Sequence, residues 1–393
     1  MNWFDRTITS KIEDSLGRGK SVLLLGPRQT GKTSLVKKLP HVRYMNMMDL
    51  ELLYRYKEDI GSFPKEMKFL AQTYEEKPIV IIDEIQKLPE LTDYCQLLID
   101  EKKIQFILTG SSVRQIKNLL PGRMLKHSLS GLNSLEIPAE HLRPLDFFLL
   151  NGSLPGIYSL KNQYAIDEDL ASYVYLYLEE EIRKESLVRN LKAFSQFLTL
   201  ACLESGNLVN LTALSQDIGV SHNTIAEYYR ILEDCMLIKR IDPLTLSNNS
   251  RRKLVKSSKF IMFDLGVRRV GAKEGLSFSR ERLGNLFEQY VGLEILSLLE
   301  LQYPQAKLLY WRCHQGPEVD YVIEHQGKLI PIEVKLSTRI RPEDLKHLKI
   351  FRNEYGISNS AYVVSNIEHP MEIEDGIIGL PWHQINIIIN SIK

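Results

Sequence analysis

The run Gly26-Pro-Arg-Gln-Thr-Gly-Lys-Thr33 carries residue types and spacing suited to holding a phosphate chain. Gly26 and Gly31 permit backbone angles closed to other residues and keep side chains out of the path of a phosphate. The loop through Pro27, Arg28, Gln29 and Thr30 can turn its backbone N–H groups inward as an anion-binding nest. Ser34 continues into a helix whose positive end faces that nest. Lys32 is expected to reach the β- and γ-phosphates of a nucleotide, and the Thr33 hydroxyl to ligate Mg²⁺.

Two further runs supply the partners that such a loop needs. Pro78-Ile-Val-Ile-Ile-Asp-Glu84 reads as a short apolar strand closed by two acids. Asp83 is expected to hold the metal through its water shell, and Glu84 to orient and activate the attacking water. Ile104-Gln-Phe-Ile-Leu-Thr-Gly110 is a strand ending in Ser111 and Ser112, and Ser111 can sense the γ-phosphate between the two motifs. Arg123 is a candidate positive charge for the transition state, with a solvated loop arginine as the rival reading.

A second constellation lies near the C-terminus. Leu283 to Leu299 is a strongly apolar helical stretch with one conspicuous acid, Glu288, and Gly284 and Gly292 share its face. A backbone or phosphate could approach closely there. The strands Glu318-Val-Asp-Tyr-Val-Ile323 and Leu329-Ile-Pro-Ile-Glu-Val-Lys335 follow, joined by a turn at Gly327. Alternation places Asp320 on one face of the first, and Glu333 with Lys335 on one face of the second. Acids that bind Mg²⁺, with a lysine beside them, are what metal-dependent phosphodiester cleavage requires. On this reading Asp320 and Glu333 are the metal ligands, Lys335 stabilises developing charge, and Glu288 assists.

These groups need elements to position them. Strands alternating with helices around the phosphate loop predict a parallel sheet, with the nucleotide at the carboxyl ends of its strands. Residues 165 to 205 have helical spacing, and the acids Glu179, Glu180 and Glu181 read as a solvated face. The segment from Thr212 to Leu232 predicts helix, tight turn at Gly219, then a second helix capped by Ser221. Leu214, Ile218, Ile225 and Leu232 suit a shared core, while His222, Asn223, Glu227 and Arg230 can face outward toward bases or phosphates. Residues 237–242, the basic run Arg251-Arg-Lys-Leu-Val-Lys256 and Lys259-Phe-Ile-Met-Phe263 could form a wing. Both DNA contact and protein packing fit such a module. Residues 268–280 suit a linker, and Arg339, Arg341, Lys346, Lys349 and Arg352 could contact a phosphate backbone.

Composition narrows the class. With 393 residues, 44% hydrophobic and 25% charged, this is a globular chain of two or three domains. Lys plus Arg (50) and Asp plus Glu (49) nearly cancel, so a nucleic-acid site must be a local basic patch. The four cysteines lack zinc-ligand spacing and read as buried free thiols of a reducing compartment. No apolar run approaches the roughly 20 residues needed to cross a bilayer, which makes a cytoplasmic location the default.

Gly-Pro-Arg-Gln-Thr-Gly-Lys-Thr, Ile-Asp-Glu-Ile-Gln-Lys-Leu-Pro and Leu-Thr-Gly-Ser-Ser before a Gly-Arg resemble a prokaryotic family of AAA-type ATPases, and Gly152-Ser-Leu-Pro extends the likeness. The resemblance implies an α/β protein with a P-loop AAA-like ATPase domain over residues 1–150. It further implies a helical segment and winged helix over 151–270, and a restriction-endonuclease-like α/β domain over 275–393. Asp320, Glu333 and Lys335 are also similar to the PD-(D/E)xK nuclease superfamily, although Pro317 lies three residues before Asp320. The function so implied is a Mg²⁺-dependent ATPase whose nucleotide state controls a DNA-binding, DNA-cleaving C-terminal half. The alternative is a regulatory or scaffolding switch that binds partners without cutting. ATP and Mg²⁺ are the expected cofactors and DNA the expected partner, with self-association compatible and no membrane.

Overall fold

The fold is described from a computed structural model, which covers residues 4–112, 122–178, 190–245, 254–314, 316–357 and 360–392, with the side chains of 176–178 left aside. It divides into two compact units, residues 1–132 with 234–237, and residues 133–233 with 238–393.

In the first unit, five strands form one parallel sheet: β1 (Ser21–Leu25), β2 (Arg43–Asn46), β3 (Ile79–Asp83), β4 (Gln105–Gly110) and β5 (Met124–Ser128). Their order is β2-β3-β4-β1-β5. The apolar runs of β1, β3 and β4 fill the three central places, where strands are covered on both faces. The more polar β2 and β5 take the edges, where side chains stay partly wet. Phe63, Met67, Leu91 and Leu98 of the flanking helices close the core over Val80, Ile82, Phe106 and Leu108. Because β4 lies between β1 and β3, the end of β4 stands between the phosphate loop and the acids that close β3.

The second unit carries an eight-stranded sheet. Its strands are β6 (Ile238–Pro243), β7 (Lys259–Met262), β8 (Lys307–Arg312), β9 (Glu318–His325), β10 (Lys328–Lys335), β11 (Ala361–Ser365), β12 (Met371–Glu374) and β13 (Ile377–Pro381). The order is β12-β13-β11-β10-β9-β8-β6-β7. β8, β9 and β10 form an antiparallel meander, and β11 runs parallel to β10. The Arg280–Gln302 helix precedes the meander, with Ser279 accepting from the Arg282 N–H at 3.2 Å as its cap. Leu345, Leu348 and Phe351 pack with Trp311, Val319, Val322 and Val363.

The two strands expected to form a wing, β6 and β7, do pair antiparallel, from Ile238 with Met262 to Ile241 with Lys259. Residues 251–253 of the basic run, and Glu179, Glu180 and Glu181, lie outside the described residues. The preceding helices are Leu211–Ile218 and His222–Asp234, with the Thr224 N–H bonded to Ser221 Oγ at 3.1 Å. Leu214, Ile225 and Leu232 are buried.

One strand ties the middle and C-terminal segments together. β6 pairs with β8 at Asp242 to Leu309 and Pro243 to Tyr310, so the segments expected as separate middle and C-terminal domains share a sheet. The start of the expected linker is the buried helix Leu265–Gly271. Its arginines are interior and paired: Arg268 reaches the Cys202 carbonyl (2.9 Å) and Glu274, and Arg269 the Leu150 carbonyl (2.7 Å) and Asp167. All four cysteines are buried free thiols. Among the described residues no helix is long and apolar enough to cross a membrane.

Candidate functional site

The phosphate loop leaves β1 at Gly26 and enters the Lys32–Val36 helix through Gly31, whose φ of +94° is left-handed. Gly26 is required for a reason the motif does not announce. A Cβ there would lie 2.1 Å from the Leu129 carbonyl oxygen. Thr30 ties the loop by donating its hydroxyl to the Pro27 carbonyl at 2.8 Å. The buried Lys32 ammonium donates to the Gly26 and Pro27 carbonyls at 2.7 and 2.8 Å. Gln29 and Ser34 are exposed, and Arg28 is half-buried.

Sequence reasoning passed over Arg6, which braces this loop. Its guanidinium donates to the Thr30 carbonyl at 2.6 Å and to the Ser130 and Gly131 carbonyls at 2.9 and 3.0 Å. It therefore pins the loop to the chain leaving β5. The signal available was a lone arginine ahead of the first strand, which nothing local distinguishes from a surface residue.

The acids behave as their position on β3 requires. Asp83 is 1% exposed and accepts three hydroxyls: Thr33 and Tyr44 on Oδ2, each at 2.7 Å, and Thr109 on Oδ1. Burial, then Asp83, raises the Tyr44 phenol above its ordinary range. Glu84 follows with φ +58°, a left-handed conformation that costs a non-glycine residue about 1 kcal/mol or more. Its N–H bonds to Thr109 Oγ1 at 3.1 Å, and its carboxylate accepts from Gln86 Nε2 at 2.6 Å. The same Gln86 nitrogen reaches Ser111 Oγ at 2.9 Å. Ser111 thus joins Gln86 and Glu84, while the β4 residue that touches Asp83 is Thr109.

Arg123 stands apart from these groups. β5 runs parallel to β1 with Met124 level with Ser21, which sets Arg123 at the amino edge of the sheet, about 20 Å from Gly26 along β1. Its Nε is held by both Asp100 oxygens at 2.8 and 2.9 Å. It does not reach the phosphate loop of its own chain.

A hydroxyl beside a carboxylate is a suitable oxygen donor set for a hard dication, and Thr33 with Asp83 fits Mg²⁺ on that ground.

The C-terminal residues also converge, with a different partner set. Glu288 accepts from Lys259 Nζ at 2.8 Å, with the two side chains 24% and 12% exposed. Asp320 Oδ2 accepts the Val334 N–H at 2.8 Å, and Lys335 Nζ binds Glu333 Oε1 at 2.6 Å. Burial, then the Asp320 charge, raises both Glu288 and Glu333 above the usual carboxylate range against the pull of their lysines. Lys259 is pulled down by burial, but the charges of Glu288 and Asp320 outweigh it and raise it. Among the described residues no three His, Cys, Asp or Glu side chains converge as a metal-ligand set. The expected metal ligands Asp320 and Glu333 therefore do not fit a divalent cation as they stand, because lysine ammoniums supply the positive charge. Sequence reasoning missed Lys259, which comes from β7 and is remote along the chain. The two helix glycines also separate: a Cβ on Gly292 would meet the Tyr321 hydroxyl at 2.4 Å, while Gly284 faces open space. The close approach read at Gly292 is that of a tyrosine, not of a phosphate.

On the Ser221-capped helix, His222, Asn223 and Arg230 are exposed, and Arg230 is paired with Glu227 at 2.8 Å.

Comparison with known proteins bears on the first unit. Residues 18–137 match the profile of a family described as an AAA domain. Residues 142–275 and 283–385 match two domains of unknown function, DUF8612 and DUF4143. An uncharacterised protein of Mycobacterium tuberculosis is 24% identical over 393 residues, spanning 97% of this chain and 84% of that protein. An uncharacterised protein of Methanocaldococcus jannaschii is 23% identical over 427 residues, spanning 94% and 85%. Among solved structures, C. elegans PCH-2 matches 57% of this chain and 65% of its own at 14% identity, with a TM-score of 0.23 that carries no argument. Residues 18–137 are therefore similar to a nucleotide-binding, ATPase-like AAA domain, and the two regions that follow match families with no assigned function.

Proposed function

We propose that the first unit hydrolyses ATP with Mg²⁺, and that its nucleotide state controls a second half that binds DNA without cutting it. The observation that carries the ATPase reading is the Thr33–Asp83–Thr109 cluster, which draws the phosphate loop, β3 and β4 to one carboxylate. Thr33 and Asp83 would hold the Mg²⁺, which when bound offsets charge on the transferring phosphoryl group. Lys32 exchanges its two loop carbonyls for phosphate oxygens, a swap of neutral acceptors for charged ones that favours the nucleotide. Glu84 takes the proton of the attacking water, with its carboxylate positioned by Gln86. Phosphate release from ATP, measured with Mg²⁺ and with chelator, tests this. Release with Mg²⁺ that stops in Lys32→Ala is expected, and equal release by both proteins contradicts it.

For the second half, the pairing of Lys259 with Glu288 and of Lys335 with Glu333 supports the non-cutting alternative over cleavage. Exposed His222, Asn223 and Arg230 on the Ser221-capped helix, together with the basic run ending at Lys256, support DNA as the partner. Binding through phosphates falls steeply with salt. Incubation of plasmid with Mg²⁺ or Mn²⁺, with and without ATP, is expected to give salt-sensitive binding and no nicked product. Nicking that disappears in Asp320→Ala would restore the nuclease reading.

A further inference from the structure

We propose that Tyr44 is a specificity-determining residue of the candidate metal site in the first unit. Its phenol takes up a lone pair of the Asp83 carboxylate, confines that carboxylate to holding a cation through water, and so favours Mg²⁺ over Ca²⁺. This rests on the ATPase reading above and adds the residue that sets which cation the site takes.

Tyr44 and Thr33 donate to the same oxygen, Asp83 Oδ2, each at 2.7 Å, while Thr109 donates to Oδ1. A carboxylate offers about four lone-pair directions, so these hydroxyls leave about one, on Oδ1. The three donors are not equivalent. Thr33 is a candidate metal ligand, and Thr109 is fully buried on the central strand β4. The half-buried Tyr44 comes from the edge strand β2, and neither the metal nor the sheet core calls for its hydroxyl. Yet the phenol is held from two sides. The exposed Lys37 ammonium stands 4.8 Å from the centre of the Tyr44 ring. The Lys37 N–H bonds to the Thr33 carbonyl at 3.2 Å, which sets Lys37 one helical turn beyond Thr33. The helix that follows the phosphate loop thus touches Asp83 through Thr33 and Tyr44 through Lys37. On the other side, β2 lies in register with β3, with Tyr44 level with Ile81, and the Met47 N–H donates to the Asp83 carbonyl at 3.0 Å. Phenol and carboxylate are therefore fixed relative to each other.

Cation chemistry turns that arrangement into a preference. Mg²⁺ dehydrates reluctantly and usually keeps several waters, whereas Ca²⁺ takes roughly six to eight oxygens and readily binds carboxylates directly. With Oδ2 filled, Asp83 cannot offer both oxygens to a cation, and its remaining direction suits the proton of a metal-bound water. Outer partners of this kind fix how a carboxylate meets its metal. Removing the phenol frees Oδ2 for direct contact, which serves Ca²⁺ more than Mg²⁺.

The test is binding of a fluorescent ATP analogue to the full-length chain, as wild type and Tyr44→Phe, with Mg²⁺ or Ca²⁺ varied. Phenylalanine keeps the ring beside Lys37 and deletes only the hydroxyl. The nucleotide's own affinity for each metal is common to both proteins and cancels in the comparison. In the wild type the half-saturating Ca²⁺ concentration is expected to exceed that of Mg²⁺, and in Tyr44→Phe that ratio should fall about tenfold. A residue that only supports the fold would lower the urea midpoint or weaken binding with both metals alike. An unchanged ratio, or an equal shift for both metals, therefore overturns the proposal. If Tyr44→Phe does not fold, as read by circular dichroism, Tyr44→Met deletes the same hydroxyl and carries the same expectation. A wild type that takes Ca²⁺ and Mg²⁺ alike overturns the proposal without any variant. A wild type that binds the analogue with neither metal overturns the ATPase reading as well, whereas binding with Mg²⁺ and an unmoved ratio sinks the role of Tyr44 alone.

Discussion

Thr33 donates its hydroxyl to Asp83 across 2.7 Å, and that bond joins two motifs that lie 50 positions apart in the chain. The buried Asp83 carboxylate accepts hydroxyls from Tyr44 and Thr109 as well. Thr33→Val removes one of three donors to a buried carboxylate. A loss of about 2 kcal/mol of stability is expected, read from the urea midpoint. The Mg²⁺ concentration that half-saturates ATP hydrolysis should rise with it. An unchanged Mg²⁺ requirement would separate Thr33 from the metal.

Arg6 supports the same loop from outside the motif. Arg6→Met leaves the carbonyls of Thr30, Ser130 and Gly131 without the donor that joins them. The expected cost is about 3 kcal/mol in denaturant unfolding, with weaker nucleotide binding by fluorescence titration. Stability lost with affinity intact would make Arg6 a brace for the fold and not for the loop.

How much of this could be read in the sequence depends on distance along the chain. The placement of Lys32, Thr33, Asp83 and Glu84 was legible because it follows from short local spacing on a strand, a loop and a helix. Thr109, Tyr44 and Arg6 were not, since their contacts exist only once the sheet takes the order β2-β3-β4-β1-β5. Where Arg123 would lie was not legible, because a glycine–arginine pair gives no hint of which sheet edge it reaches. In the second unit the alternation of β9 and β10 was clear, and Asp320, Glu333 and Lys335 do gather. The lysine that neutralises Glu288 came from β7, whose place in the same sheet no local pattern announced.

The two glycines of the Arg280–Gln302 helix offer a paired control. Gly292→Ala sets a methyl 2.4 Å from the Tyr321 hydroxyl and should cost about 1–3 kcal/mol. Gly284→Ala meets open space and should be neutral or stabilising by up to about 1 kcal/mol. Thermal unfolding of the pair checks both, and the reverse ranking would refute the packing described.

Glu294 gives the second unit a pH dependence of its own. Burial pushes its carboxyl up to about 7, although its Oε1 accepts the Ser134 N–H at 2.8 Å. The folded state therefore holds a proton that the unfolded state loses near its ordinary pKa. Stability contributed at low pH is lost as pH rises from about 4.5 to 7, with a span of roughly 3 kcal/mol at most. Glu294→Gln should remove that slope and be more stable than wild type at pH 8, with little difference at pH 4. Parallel stability curves over that range would count against it.

The central claim is that Lys32 binds the nucleotide while Glu84 acts only on the water. The most direct measurement follows ATP binding and single-turnover hydrolysis together in wild type, Lys32→Ala and Glu84→Gln. Lys32→Ala should lose binding. Glu84→Gln should bind ATP within about threefold of wild type while its hydrolysis step slows by about 10²-fold or more. Hydrolysis by Glu84→Gln at the wild-type rate would contradict the account.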